Sequence, residues 1–188
     1  MTEDAFLHRA RTLENRFFAE KDSELLEKIR QERFEQITAQ ELGEATGITD
    51  LALLANLAKL KLSKESLAAL SVVPLIEVAW ADGSITDDER DAVLKAALES
   101  GLPKDGPGYR QMRVWLETRP NPELLGAWKD YIAAVSKQLS EADHKSVRDN
   151  LLARTKQVAQ AAGGYFGFGS ISPSEQKVLD QLAAAFDK

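Results

Sequence analysis

The chain has 188 residues, of which 44% are hydrophobic, 29% charged and 7% aromatic, a composition typical of a soluble globular protein. Its 24 basic and 30 acidic residues give a formal net charge of −6, which disfavours binding to nucleic acids or anionic membranes. The lack of cysteine excludes disulfides, zinc–thiolate sites, iron–sulfur clusters and a cysteine nucleophile. Because the sequence has no signal-peptide pattern and no apolar run of about 18 residues, we expect a cytoplasmic protein without an integral membrane segment.

Apolar residues recur at three- and four-residue spacing along nearly the whole chain, and alternating β-branched runs are lacking. This periodicity predicts an all-α protein of about eight or nine helices. The leucines of the fourth predicted helix cover more than one face, so we expect that helix to be central or to lie in a dimer interface. The first four predicted helices are 4–20, 23–36, a short helix from a capping box at Thr38 to a stop at Gly47, and a leucine-rich helix from Asp50 to about Leu62.

Caps and helix breakers place the remaining helices. A helix predicted from Ser63 to Ala81 contains Pro74, which removes a backbone donor and should kink or split the helix. The clearest start is the capping box from Thr86 to Glu89. The other predicted helices are 86–100 with Gly101 as its stop, 109–118, 122–139 capped by Asn121, 141–162 capped by Ser140, and 173–187 begun by the capping box from Ser172 to Glu175.

Two segments repeat one pattern, at 78–89 and at 158–175. Each ends a helix with Val-Ala-x-Ala, turns at a glycine, places an isoleucine after the turn and begins a capped helix. The small residues permit close helix packing, so we predict a two-fold internal repeat. The equivalent pairs are Gly83 with Gly163, Ile85 with Ile171, and Thr86 with Ser172.

With these corners, residues 63–188 resemble the TerB-like family, a group of helical domains named for a tellurite-resistance protein. The first corner matches the family pattern at Asp82, Gly83, Ile85 and Glu89, and the second keeps Gly163, Ile171 and Glu175 but has Ala162 in place of the aspartate. The resemblance implies a TerB-like helical domain with an internal two-fold repeat. Residues 1–62 would be an N-terminal helical extension packed on it as one compact unit. It also implies a non-enzymatic binding module of stress response and membrane-linked complexes, with metal binding through acidic residues.

Carboxylates crowd the first corner, where residues 82–91 include five acidic side chains. Its sequence matches the second half of an EF-hand loop, but Val78 and Trp80 stand where the first half would need acidic ligands. The favoured interpretation of the carboxylates themselves is that they stabilise the helix start through the helix dipole. The alternative, which the sequence also predicts, is a weak site for a divalent cation (Ca, Mg, Mn or Zn). The predicted metal ligands are Asp82, Asp87, Asp88, Glu89 and Glu175.

Three further patterns carry weaker predictions. The glycine-aromatic loop 163–169 is either a packed loop or a ligand-contacting one. Residues 40–50 resemble the start of a helix-turn-helix, but the second helix begins with Thr49, Asp50 and Leu51, which disfavours DNA contact. We expect His8 and His144 to be surface residues, and the three tryptophans to be core residues.

No catalytic motif is visible, so we do not expect an enzyme. The favoured hypothesis is a binding module in a stress-related assembly with a protein partner and a divalent cation. A protein–protein interaction scaffold or homodimer without metal is the alternative. A DNA-binding regulator is the third hypothesis and an enzyme of unseen type the fourth.

Overall fold

The structure is a computed structural model that describes the backbone of residues 3–162 and 171–187 and the side chains of residues 20–161 and 171–187. This part of the chain forms eight α-helices and one 3-10 helix and contains no strand, which confirms the all-α prediction. The elements are α1 (Glu3–Thr46), α2 (Leu51–Lys59), a 3-10 helix (Leu67–Val72), α3 (Val73–Ala79), α4 (Asp87–Glu99), α5 (Pro107–Glu117), α6 (Glu123–Ser136), α7 (Glu141–Ala162) and α8 (Pro173–Ala184).

The N-terminal region is one helix, and the prediction of three was wrong. α1 continues through residues 21–23, because no proline or glycine interrupts it there and a Lys21–Glu24 ion pair at 2.9 Å supports it locally. Thr38 starts no helix, since it lies inside α1 with its side chain 6% exposed. The predicted end is correct, because Gly47 has a φ of +71°.

The leucine-rich helix α2 buries one face and exposes the other, so the prediction of a largely buried helix is correct only for the buried face. The Asp50 side chain caps it by accepting hydrogen bonds from the backbone N–H groups of Ala52 at 3.0 Å and Leu53 at 3.1 Å. Its buried side chains face the end of α1 and α6, so the N-terminal extension shares the main core. The buried apolar residues are Leu53, Leu54, Leu57 and Ala58.

The segment after α2 departs from the sequence prediction. Ser63 does not begin a helix, because its backbone N–H donates to Ser66 Oγ at 2.9 Å in a turn. The 3-10 helix follows, and Pro74 lies in the first turn of α3, where a missing backbone donor costs nothing. The predicted split near Pro74 is therefore confirmed. The 3-10 helix and α3 take the place of the helix predicted from Ser63 to Ala81.

The short helix α3 occupies the centre of the fold. It packs against α4, α5, α6, α7 and α8, and all of its residues except Glu77 are buried. Around it, the tryptophans fill the core as predicted. Trp128 is fully buried and packs edge-on against Phe186 at a ring-centroid distance of 6.1 Å, while Trp115 is buried and Trp80 half-buried.

Candidate functional site

The first predicted corner, between α3 and α4, is a glycine turn followed by a complete capping box. Gly83 has a φ of +90°, which favours glycine. Glu89 reaches back so that its Oε2 accepts hydrogen bonds from the Thr86 backbone N–H and hydroxyl, each at 2.7 Å. The Glu89 backbone N–H in turn donates to Thr86 Oγ1 at 3.3 Å. The sequence prediction of this cap is confirmed.

The second corner begins α8 with the same arrangement. Glu175 Oε2 accepts from the Ser172 backbone N–H at 2.6 Å, and the Glu175 backbone N–H donates to Ser172 Oγ at 3.2 Å. Ile171 is half-buried against the core, as Ile85 is in the first corner. Both corners thus contain a capping box and a half-buried isoleucine, while the two-fold repeat itself stays a prediction. Its remaining marker, Gly163, lies with the loop 163–169 outside the described residues.

The two corners touch each other. Ser172 Oγ donates to Asp82 Oδ1 at 3.2 Å, across 90 positions of sequence. Glu175 is 2% exposed, and its second oxygen, Oε1, has no hydrogen-bond partner in the described part of the chain. A buried carboxylate oxygen without a partner is unusual in a folded protein.

The predicted metal ligands are only partly brought together. Asp82, Asp87 and Asp88 are exposed, whereas Glu89 and Glu175 point inward as capping residues and are buried. Among residues whose side chains are described, no three His, Asp or Glu side chains form a group that could hold a metal ion. The cation site stays a prediction from the sequence.

Glu77 is a partly buried carboxyl that the sequence reasoning missed. Burial raises its pKa above the usual value, and the charges of Arg119 and Lys129 act against that rise. One feature of the sequence could have identified it, because Glu77 is the one charged residue of the apolar segment 72–79. Both cations lie on other parts of the chain than α3, Arg119 after α5 and Lys129 in α6.

The histidines give no catalytic arrangement. His144 is half-buried and packs edge-on against Phe186 at 5.7 Å, so the expectation of a solvated side chain was wrong for it. The side chain of His8 lies outside the described residues. At the helix-turn-helix-like segment, Asp50 is engaged as the cap of α2.

Among the residues whose side chains are described, most of the exposed large apolar side chains lie on α1. Every residue from 20 to 34 is exposed, although this stretch contains several large apolar side chains. Beyond residue 34, Thr38 and Leu42 lie on the side of α1 that faces the core and are buried. Ile37 lies on another side of the helix and is exposed. The exposed apolar side chains of α1 are Leu25, Leu26, Ile29, Phe34 and Ile37, each at least half exposed.

An open groove of about 550 Å³ adjoins this surface, between α1 and α2. Gln36 and Gln40 line it from α1, and Leu51 and Ala55 line it from α2. Leu51 is 78% exposed at the start of α2, the one leucine of that helix turned away from the core. The exposed face of α1 and this groove together form a surface suited to a further helix.

Comparisons with protein-family models, curated proteins and solved structures found no match to this chain. The TerB-like resemblance therefore rests on the residues of the two corners. Of the helices within the described ranges, none has the length and apolar character needed to cross a membrane.

Proposed function

We propose that this chain is a non-enzymatic binding module and that the exposed apolar side of α1, residues 20–37, is its main binding surface for a protein partner. The observation that carries the proposal is the exposure of five large apolar side chains on one helix. Exposed apolar side chains concentrated in one part of a protein are typical of protein interaction sites. Burying one such side chain stabilises a complex by about 1.5–3 kcal/mol.

The construction of α1 supports this role. Its last part is anchored to the core through Leu42 and Thr38, while residues 20–34 extend beyond that anchor. At about 1.5 Å per residue, this extension presents roughly 22 Å of helix surface. A helix docked against a partner protein is a recurrent form of protein recognition.

The test is affinity purification from the native cells with the full chain as bait. We expect partners recovered with the wild type to be lost with Ile29→Glu and kept with Val114→Glu, a matched change at an exposed valine of α5. Circular dichroism should show both variants folded, because both side chains are exposed. Equal recovery by the wild type and Ile29→Glu would reject α1 as the binding surface.

The second candidate function is weak binding of a divalent cation at the joined corners, as in the TerB-like resemblance of residues 63–188. The observation that favours it is the unpartnered Oε1 of Glu175, at a helix start that also contacts Asp82 through Ser172. Carboxylate oxygens are the ligands that calcium and magnesium prefer. A stress-related assembly would be the setting that the resemblance implies.

This second candidate is tested by thermal unfolding with and without millimolar Ca, Mg, Mn or Zn. At about 100 times the dissociation constant, an ion adds about 2.7 kcal/mol of stability. We expect Asp82→Asn and Glu175→Gln to remove the ion-dependent increase in Tm, and Asp105→Asn, in a separate loop, to keep it. If no ion raises the wild-type Tm, the corners are only helix starts.

A further inference from the structure

We propose that the partner of the α1 surface is a second copy of this chain, paired with α1 antiparallel to α1 about a two-fold axis between residues 27 and 28. The inference rests on the proposed binding role of α1 and specifies its partner. Such a two-fold contact requires that the surface be complementary to itself. Three properties of α1 meet this requirement.

The first property is a continuous exposed seam. At about 100° per residue, Asp22, Leu26, Ile29, Arg33 and Ile37 fall within a sector of roughly 80° on α1. All five are exposed. The sector points about 160° away from the direction of Thr38 and Leu42, which face the core. A second helix can therefore lie along the seam without displacing α2.

The second property is the match of residues across the axis. In this register, position 22 of one copy lies opposite position 33 of the other, and position 26 lies opposite position 29. Asp22 then faces Arg33, and Leu26 faces Ile29, twice each because the contact is symmetric. A parallel arrangement in register would instead place Asp22 against Asp22 and Arg33 against Arg33, which is repulsive.

The third property is the order of charge blocks along the helix. Residues 20–27 carry four acidic and one basic side chain, and residues 28–35, which would lie opposite, carry three basic and two acidic. An antiparallel pair thus places two blocks of opposite net charge against each other, which selects this orientation.

The groove between α1 and α2 continues the seam. Positions 36 and 40, which line it, would lie opposite positions 19 and 15 of the second copy. The partner helix would therefore run beside Leu51, whose exposed side chain has no other role in the described fold. This continuity favours a second copy that overlaps α1 over most of its length.

The experiment is sedimentation equilibrium of the full chain over a concentration series up to about 100 µM, a range that detects dissociation constants of micromolar order. We expect a monomer–dimer equilibrium. Ile29→Glu should weaken the dimer about 100-fold, because it places two buried carboxylates at the centre of the contact. Val114→Glu, at an exposed valine of α5, should leave the dissociation constant unchanged.

Charge exchange tests the orientation. Asp22→Arg and Arg33→Asp should each weaken the dimer by about tenfold, because each places like charges opposite one another. The double variant Asp22→Arg with Arg33→Asp should return to within about threefold of the wild type. Circular dichroism and Tm confirm that each variant is folded, since both side chains are exposed.

The outcomes separate this inference from the proposed function. A monomer at all concentrations overturns self-pairing, and the bait experiment with Ile29→Glu then decides whether α1 binds a different protein. A dimer that survives Ile29→Glu also overturns it. A dimer whose double charge variant is weaker than either single variant overturns the antiparallel register.

Discussion

Ser172 Oγ donates a hydrogen bond to Asp82 Oδ1 at 3.2 Å, so the start of α8 is tied to the turn that precedes α4. The same hydroxyl accepts from the Glu175 backbone N–H. One serine thus caps its own helix and joins the two corners of the predicted repeat. The contact links parts of the chain that are far apart in sequence and adjacent in the fold.

A double-mutant cycle measures this link. Ser172→Ala should lower the free energy of unfolding by about 1 kcal/mol through loss of the cap. Combined with Asp82→Ala, it should show a coupling of about 0.5 kcal/mol. Thr86→Ala is the matched control, because it removes an equivalent cap that does not contact Asp82. Chemical denaturation measures the free energy of unfolding of each variant. If the effects of Ser172→Ala and Asp82→Ala are strictly additive, the contact between these two side chains is contradicted.

Two helical glycines should respond oppositely to alanine. At Gly126 in α6, an added Cβ meets nothing within 4 Å, so Gly126→Ala should stabilise the protein by about 0.5–1 kcal/mol through helix propensity. At Gly108 in α5, an added Cβ would lie 3.1 Å from Leu102 Cδ1 and 3.2 Å from the Ala69 backbone nitrogen. Gly108→Ala should therefore destabilise, and thermal unfolding of the two variants compares them directly. If Gly108→Ala instead raises the Tm, Leu102 and Ala69 can move away from the added Cβ at little cost in free energy.

Glu77 should make stability depend on pH. Burial raises its pKa above 4.5 in the folded protein, so the folded state holds this proton more tightly than the unfolded state. The stability that comes from this tighter proton binding is fully present below about pH 4.5. It is lost as the pH rises through the pKa that Glu77 has in the folded protein. Glu77→Gln should therefore gain stability relative to the wild type as pH rises through this interval.

Urea denaturation between pH 4 and pH 7 checks the Glu77 effect. Glu117→Gln is the control, since it makes the same change at a side chain that is 62% exposed. A difference between Glu77→Gln and the wild type that is constant with pH would contradict the burial of this carboxyl. Arg119 and Lys129 act in the opposite direction, so high salt should enlarge the effect.

Trp80 joins α3 to the end of α5. Its Nε1 donates to the Trp115 backbone oxygen at 2.8 Å. Trp80→Phe keeps an aromatic ring but removes this donor, and it should lower the free energy of unfolding by about 1 kcal/mol. Val114→Thr, at an exposed neighbour on α5, should change it little. Loss of stability no greater than in this control would show that the hydrogen bond contributes nothing.

Helix starts could be predicted from the sequence because capping is local chemistry. Asp50, Thr86 and Ser172 each needed only their own side chain and the next three residues to define a start. Thr38 carries the same local pattern and failed, because burial of Thr38 and Leu42 keeps that stretch helical. A cap motif competes with packing, and packing is not local.

The two proposed binding surfaces, the acidic corner and the exposed side of α1, were harder to predict for a related reason. The acidic corner was visible as a cluster in sequence, but capping draws Glu89 and Glu175 inward and leaves Asp87 and Asp88 outside. In the prediction, Leu26, Ile29 and Arg33 belonged to the helix 23–36, but Asp22 and Ile37 fell in the breaks on either side of it, so the five residues did not appear on one face. Only the uninterrupted helix places Asp22 and Ile37 on the same side.

The exposed stretch of α1 also bears on backbone dynamics. Residues 20–34 receive little burial from the rest of the chain, and a helix without tertiary support frays readily in water. Their amide hydrogens should exchange with solvent in the time typical of local opening, while those of α3 exchange only on global unfolding. A bound partner would slow exchange along this one stretch, so the helix itself reports whether its surface is occupied.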